Sequence, residues 1–322
     1  MGNPTCVPDT SPLEVLPGDI SAYRAGNVGI DYVHRLDSGQ PGPHVLVNAL
    51  THGNEICGVA AVRYLLDQGI RPLAGTLTVS FANVAAYEAF DIAQPYQNRQ
   101  LAHNLNRIWS PEWLDGTLHS PELARARELA PVVAAADYIL DIHSTRAPVV
   151  PFWVYPEFDR NADLATKVGA PLVHLTMPVG TAPGTALTSY GQHGRHDGRG
   201  SALVVECGQH FSQTASDLAV DVTLRFLSRL GVIQVRASEP MQAAEFAVAQ
   251  ARRFRLLDAK IVKTDSFRFA RPFIGFETLD EGELIATDGD EEIRSPCDGC
   301  TIFMPTQAPI VGREAVYLTL GL

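Results

Sequence analysis

The stretch HVLVNALTHGNEICG (44–58) decides how the chain is read. HVLVNAL (44–50) is a short apolar run, the pattern of a strand buried on both faces. It ends in Thr51, His52, Gly53, Asn54 and Glu55. An imidazole and a carboxylate thus stand three residues apart, beside a glycine, where a strand leaves the core. GVAAVRYLLDQG (58–69) follows with apolar spacings of three and four and stops at Gly69, which reads as a helix.

The same alternation recurs. TLTVSFAN (76–83), DYILDIH (137–143) and ALVVEC (202–207) read as strands. SPELARARELAPVVAAAD (120–137) opens with Ser120 as N-cap and Pro121 at the first helical position, and TASDLAVDVTLRFLSRLG (214–231) is a helix stopped by Gly231. Strands alternating with helices predict an α/β fold, a mixed but mostly parallel sheet flanked by helices. Residues 20–34 read as a β-rich lead-in, and the polar stretch 84–119 as a long functional loop. From about 237 the pattern changes. MQAAEFAVAQARR (241–253) reads as a short linker helix, and the β-prone runs with Gly/Asp turns that follow predict a small C-terminal all-β domain. The expected division is a catalytic domain over 1–236 and a β-domain over 237–322.

Apolar residues make up 46% and charged residues 19% of the 322, enough for a sizeable core. A net charge of −11 argues against a nucleic-acid partner and against an anionic membrane surface. No run approaches the roughly 20 apolar residues that cross a bilayer. The N-terminal residues lack the basic and apolar regions of a secretory signal. Five cysteines form no disulfide framework in a chain this long, so a cytoplasmic location is expected. Cys297 and Cys300 have metal-site spacing, but no second pair exists and Asp-Gly between them reads as a turn. No glycine-rich phosphate loop joins a strand to a helix, which leaves phosphoryl transfer without support.

In open α/β sheets ligands bind outside the carboxyl ends of the strands. At that edge stand His52 and Glu55 after the first strand, Asn83 after the second, Asp141 and His143 on the third, and Glu206 on the fourth. Two imidazoles and one carboxylate leave a coordination position open, the catalytic pattern for zinc. Asp141 is expected to support a ligand from behind. Glu206, preceded by apolar residues, suits a general base acting on water beside the metal.

These residues resemble the succinylglutamate desuccinylase/aspartoacylase family, a branch of the zinc-carboxypeptidase-like fold. The resemblance rests on HGNE (52–55), NVAAYEAF (83–90), Arg99, NLNR (104–107), DIHST (141–145) and VVECG (204–208), in the family's order over roughly 44–231. It implies one zinc per chain, bound by His52, Glu55 and His143. It also implies Arg99 polarising the scissile carbonyl, Asn106 and Arg107 holding a substrate carboxylate, and Glu206 as base and then acid. The C-terminal β-domain resembles that of longer members. Two positions depart from the family: Asn104 stands where Asp is usual, and Val84 where Pro is usual, and both bear on substrate orientation.

The resemblance implies zinc-dependent hydrolysis of the amide bond of an N-acyl amino acid, a small-molecule substrate, with a homo-oligomer left open. In the loop TSYGQHGRHDGRG (188–200), Arg195 resembles an arginine that grips a second carboxylate in aspartoacylase-like members, and Tyr190 is expected beside it as a substrate contact. Its glycines read as those of a mobile, closing loop. Two other readings stay open. Two histidines and a carboxylate also describe a non-haem iron oxygenase, and the same fold can serve as a non-catalytic binding protein.

Overall fold

The structure, a computed structural model, describes residues 12–234 and 251–322. Up to residue 234 the strands are β1 (Val33–Asp37), β2 (His44–Ala49), β3 (Thr76–Phe81), β4 (Tyr138–Thr145), β5 (Phe152–Pro156), β6 (Val173–Met177) and β7 (Ser201–Gln209). The helices are α1 (Cys57–Asp67), α2 (Val84–Glu88), α3 (Pro111–Leu114), α4 (Pro121–Ala135), α5 (Asp159–Val168) and α6 (Gln213–Arg229). After residue 251 come β8 (Arg252–Ile261), β9 (Arg268–Phe269), β10 (Thr278–Leu279), β11 (Leu284–Asp288), β12 (Glu291–Arg294), β13 (Cys300–Phe303) and β14 (Glu314–Gly321). No described helix is long and apolar enough to cross a membrane.

The apolar runs become the middle of the sheet. β3, β2, β4 and β7 lie side by side and parallel. Their residues are almost all buried, because helices cover both faces. Val47, Ala49 and Ile142 pack with Leu65 of α1 and Phe226 of α6 on one side. Leu46 and Ile139 pack with Leu129 and Val133 of α4 on the other. β1 is antiparallel to β3 at the edge and shows the alternating burial of a half-covered strand. Of the expected β-rich lead-in over 20–34, only Val33 and His34, the first residues of β1, are strand; Ser21–Tyr23 form a 3₁₀ turn instead. Caps follow the sequence closely: the Ser120 side chain accepts the Leu123 N–H, and Gly231 (φ 73°) follows α6.

Beyond β7 the sheet is mixed. β5 runs antiparallel to β7, β6 parallel to β5, and β8 parallel to β6. β14, β13 and β10 extend the same sheet in antiparallel fashion to eleven strands, and β12, β11 and β9 form a second sheet of three. The C-terminal strands are therefore hydrogen-bonded to the edge of the main sheet. The linker helix expected over 241–253 and the boundary at 236/237 lie outside the described residues, except that Arg252 and Arg253 open β8. Cys297 lies on the turn between β12 and β13 and Cys300 opens β13, both as free thiols.

A shared apolar cluster seals this junction. Phe152, Val173 and Leu175 pack against Phe254, Leu256, Phe303 and Tyr317, all of them buried. Truncation after residue 235 would strip that cover and leave β6 an open sheet edge. Each fully uncovered large apolar side chain costs about 1.5–3 kcal/mol. The truncated chain should therefore aggregate or bind a hydrophobic dye, as size-exclusion chromatography and dye fluorescence would register. A monodisperse truncation with unchanged thermal midpoint would contradict the role given to this junction.

Candidate active site

β2 has β3 on one side and β4 on the other, so the strand order reverses beside it. A crevice outside the carboxyl ends of the strands is expected there. The chain leaves β2 through Leu50, which is wholly buried and left-handed (φ 62°), a conformation rare outside glycine. The N–H groups of Ala82 and Asn83 donate to the carbonyls of Ala49 and Leu50 at 2.8 and 2.7 Å and hold the strained corner. Gly53, which the sequence places between His52 and Glu55, does not have a positive φ and is needed for a different reason. A Cβ there would run into Asn98 O and the backbone of Ala86 and Tyr87. Gly53 N–H donates to Arg99 O at 3.0 Å, so the missing side chain lets the Arg99 segment lie directly on the His52–Glu55 turn.

Donor atoms of His52, Glu55 and His143 lie within 4.8 Å of one another, and all three residues are buried. His52 Nδ1 faces Glu55 Oε1 at 2.7 Å, and His143 Nδ1 faces Glu55 Oε2 at 2.8 Å. The other nitrogen of each ring is held from behind. His143 Nε2 donates to Asp141 Oδ2 at 2.8 Å, from two residues earlier on the same face of β4. A register irregularity between His143 and Thr145 lies at this point of the β4–β7 pair. Asp141 also accepts from Asn48 Nδ2 and Thr51 Oγ1 at 2.8 and 2.7 Å. Burial opposes its ionisation, but His143 and these donors hold it below the usual carboxylate range.

His52 Nε2 contacts Asn104 Oδ1 at 2.9 Å. Asn104 Oδ1 also accepts the Asn106 N–H at 2.9 Å, which marks that atom as the oxygen. His52 therefore donates through Nε2. Burial, with Arg99 nearby, lowers its pKa to about 4, so the ring is neutral and Nδ1 carries a lone pair. That lone pair has no hydrogen-bond partner and points at a carboxylate. Glu55 is ionised: burial works against it, but His143 and Arg99 hold its pKa well below the usual value. A lone pair facing an anion is repulsive unless a cation lies between them. The donor set, its tautomers and this unsatisfied nitrogen fit a divalent metal ion.

Glu206 faces the same cavity from β7, in register with His143. Its Oε2 has no partner, and burial pushes its pKa up to about 8. Arg99 donates to Glu55 Oε1 at 2.6 Å and lines the cavity. Asn106 lines it as well, with its Oδ1 accepting the Leu187 N–H at 3.0 Å. Arg107 reaches it with Nη2 on Glu314 Oε1 at 2.8 Å. Burial opposes the Arg107 charge, yet Tyr317 and Glu314 hold its pKa above the ordinary value.

Tyr190 and Arg195 do not line the cavity. Tyr190 packs on Trp109 with ring centroids 5.5 Å apart. Arg195 is 68% exposed in its side chain and paired with Asp197 at 2.8 Å, so it is a surface charge. Two glycines of its loop serve close approach: a Cβ on Gly194 or Gly198 would strike Ser189 O or Gln192 O. Arg160 ties the loop down through the carbonyls of His193, Arg195 and Gly200.

Three participants escaped the sequence reading. Glu122, buried at the start of α4, accepts the N–H groups of Leu101, Ala102 and His103 and so shapes the polar loop just before Asn104. Its place in the first helical turn reads as an ordinary favourable end charge. Glu314 and Tyr317 come from β14. With the cluster they enclose a cavity of about 500 Å³.

The model of the succinylglutamate desuccinylase/aspartoacylase catalytic domain matches residues 41–229. The chain belongs to this family. The family match covers β2 through α6 and so all of the cluster residues and Glu206. The rat (Rattus norvegicus) N-acyl-aromatic-L-amino acid amidohydrolase (carboxylate-forming) is 34% identical over 122 residues, which is 34% of this chain and 36% of the relative. The match thus spans about a third of the length of that curated relative. Among solved structures, succinylglutamate desuccinylase from Vibrio cholerae superposes with a TM-score of 0.66 at 18% identity, covering 91% of this chain and 86% of that one. The desuccinylase from Chromobacterium violaceum gives 0.63 at 22% identity, covering 91% and 89%. A product-bound ectoine utilization protein from Ruegeria pomeroyi gives 0.60 at 16% identity, covering 90% and 88%. These likenesses show the same fold over about nine-tenths of the chain.

Proposed function

We propose that this member of the family is a zinc-dependent hydrolase that cleaves the amide bond of an N-acyl amino acid, and that it acts in the cytoplasm. The observation that carries the reading is the cluster of His52, Glu55 and His143 facing Glu206 across one cavity. The rat relative, named for hydrolysing N-acyl-aromatic amino acids, supports the same reaction class.

His52 and His143, through Nδ1, and Glu55, through its carboxylate, would hold one zinc ion. When bound, zinc supplies Lewis acidity, polarising the acyl carbonyl and lowering the pKa of water toward about 7. Glu206 takes the proton from the attacking water and passes it to the departing amine. Its position in register with His143 puts base and cluster on adjacent strands. Arg99, already on the edge of Glu55, directs N–H groups at the developing oxyanion. Asn106 and Arg107 hold the α-carboxylate, Arg107 through guanidinium N–H groups not taken by Glu314 and the Asn106 carbonyl. Incubating the zinc-loaded protein with N-acetyl, N-formyl and N-succinyl amino acids should release free amine, and metal analysis should find zinc rather than iron. A metal-replete protein that releases amine from none of them would refute the proposal.

Asn104 tests the support behind His52. Asn104→Ala leaves the Nε2–H without an acceptor, and such a loss typically costs about 10–100-fold in metal affinity. Asn104→Asp should retain or tighten binding, because a charged acceptor makes the ring a stronger donor to the metal. Competition against a chromophoric chelator measures both. Equal affinities for all three proteins would place Asn104 outside the metal's influence.

A further inference from the structure

The mouth of the cavity carries large apolar side chains facing water. Val179 is 67% exposed and Ile274 80% exposed, and both line the cavity. Met177, Pro178 and Met304, each half-buried, and the buried Pro305 line the same cavity. Single exposed apolar residues need no explanation, but a contiguous set around a ligand cavity does. Met304 also holds a left-handed backbone (φ 46°), which is rare for a residue with a side chain. Such strain persists where the surrounding structure imposes it, often at ligand sites.

The two sides of the rim are anchored on either side of one ion pair. The loop after β6 is tied to Arg107: the Thr185 N–H donates to Arg107 O at 3.0 Å, and a Cβ on Gly184 would strike Arg107. The segment after β13 is tied beside Glu314, through the Thr306 N–H on Ala315 O at 2.8 Å. Arg107 and Glu314 are themselves joined at 2.8 Å. The segments that carry Val179 and Met304 are thus both tied next to the ion pair of Arg107, the guanidinium assigned to the α-carboxylate.

We propose that this rim is the subsite for the amino-acid side chain of the substrate and that it selects an aromatic or branched aliphatic side chain over a small or charged one. The inference rests on the reading of the site as an N-acyl amino acid hydrolase with Arg107 on the α-carboxylate. The C-terminal strands then act in specificity, since Ile274, Met304 and Pro305 all follow residue 251. Each methylene seated in an apolar pocket is worth about 10–200-fold in selectivity at most.

The experiment measures kcat/KM of the zinc-loaded protein for N-acetyl-L-phenylalanine, -leucine, -alanine and -aspartate. Phenylalanine and leucine should exceed alanine and aspartate by about tenfold or more. Val179→Asn and Ile274→Asn, both at exposed positions, should collapse the phenylalanine-to-alanine ratio at least several-fold through KM, and Ile274→Leu should restore it. Calorimetry with N-acetyl-L-phenylalanine on Glu206→Gln, alone and combined with Ile274→Asn, should show the same loss in binding without turnover. A preference for aspartate or alanine, or a ratio untouched in both Asn variants, overturns the inference while leaving amide hydrolysis in place. Asn variants that change only the oligomeric state, by sedimentation, overturn it too and make the rim a contact between copies. Failure to hydrolyse any of the four in metal-replete protein removes the underlying reading, and the inference falls with it.

Discussion

Glu206→Gln should lower turnover by about 10²–10⁴ while leaving one zinc per chain, because it removes a positioned base and no metal donor. The side chain keeps its size and can still hydrogen-bond. Burial pushes the Glu206 pKa up to about 8, with Glu55 adding to the rise and His143 and Arg99 opposing it. A base must be ionised, so activity should rise with pH through the pKa of this group. A dication at the cluster favours the anion and moves that rise below 8. The acid limb of kcat/KM against pH should therefore disappear in Glu206→Gln. Turnover near wild type in a metal-replete variant would remove Glu206 from the chemistry.

His52→Ala should abolish both metal retention and activity. Loss of a partner on the far nitrogen of a ligand costs about 10–100-fold in affinity, and loss of the donor itself exceeds that. The remaining carboxylate, Glu55, is also claimed by Arg99 at 2.6 Å. Elemental analysis after dialysis should find almost no zinc in the variant and one per chain in the wild type. Circular dichroism should show the fold retained, because the strands beside the turn are buried independently of the imidazole. Stoichiometric zinc in His52→Ala would refute the donor assignment.

Much of the catalytic half is written locally. Runs such as HVLVNAL and DYILDIH are continuous apolar strands because both faces are covered. Their polar ends meet at one edge because parallel strands joined by helices all finish on the same side. That topology is why His52, Glu55, His143 and Glu206 are legible before any coordinates exist. The caps at Ser120 and Gly231 are equally local, since they satisfy backbone groups within one turn.

Other features depend on partners that no local pattern names. β5 (FWVYP) and β6 (VHLTM) are five residues each, too short for periodicity to separate strand from helix, and the reversal of β5 against β7 is a matter of pairing. Gly53 and the glycines after Thr188 look like flexible points, yet several are close-packing contacts, which only the neighbouring backbone reveals. Arg195 and Arg107 are alike in sequence, both arginines in polar loops, but one pairs with Asp197 in solvent and the other is held at the cavity. Asn104 departs from the family pattern, and its meaning emerges only when its oxygen is found on His52. The sequence by itself determined the four central strands β2, β3, β4 and β7 and the residue types gathered at their ends, because burial period and turn chemistry act over a few residues. The tertiary structure decided which groups stand behind the ligands and who closes the cavity, because Glu314 meets Arg107 across 207 residues of chain, and packing alone sets such a distance.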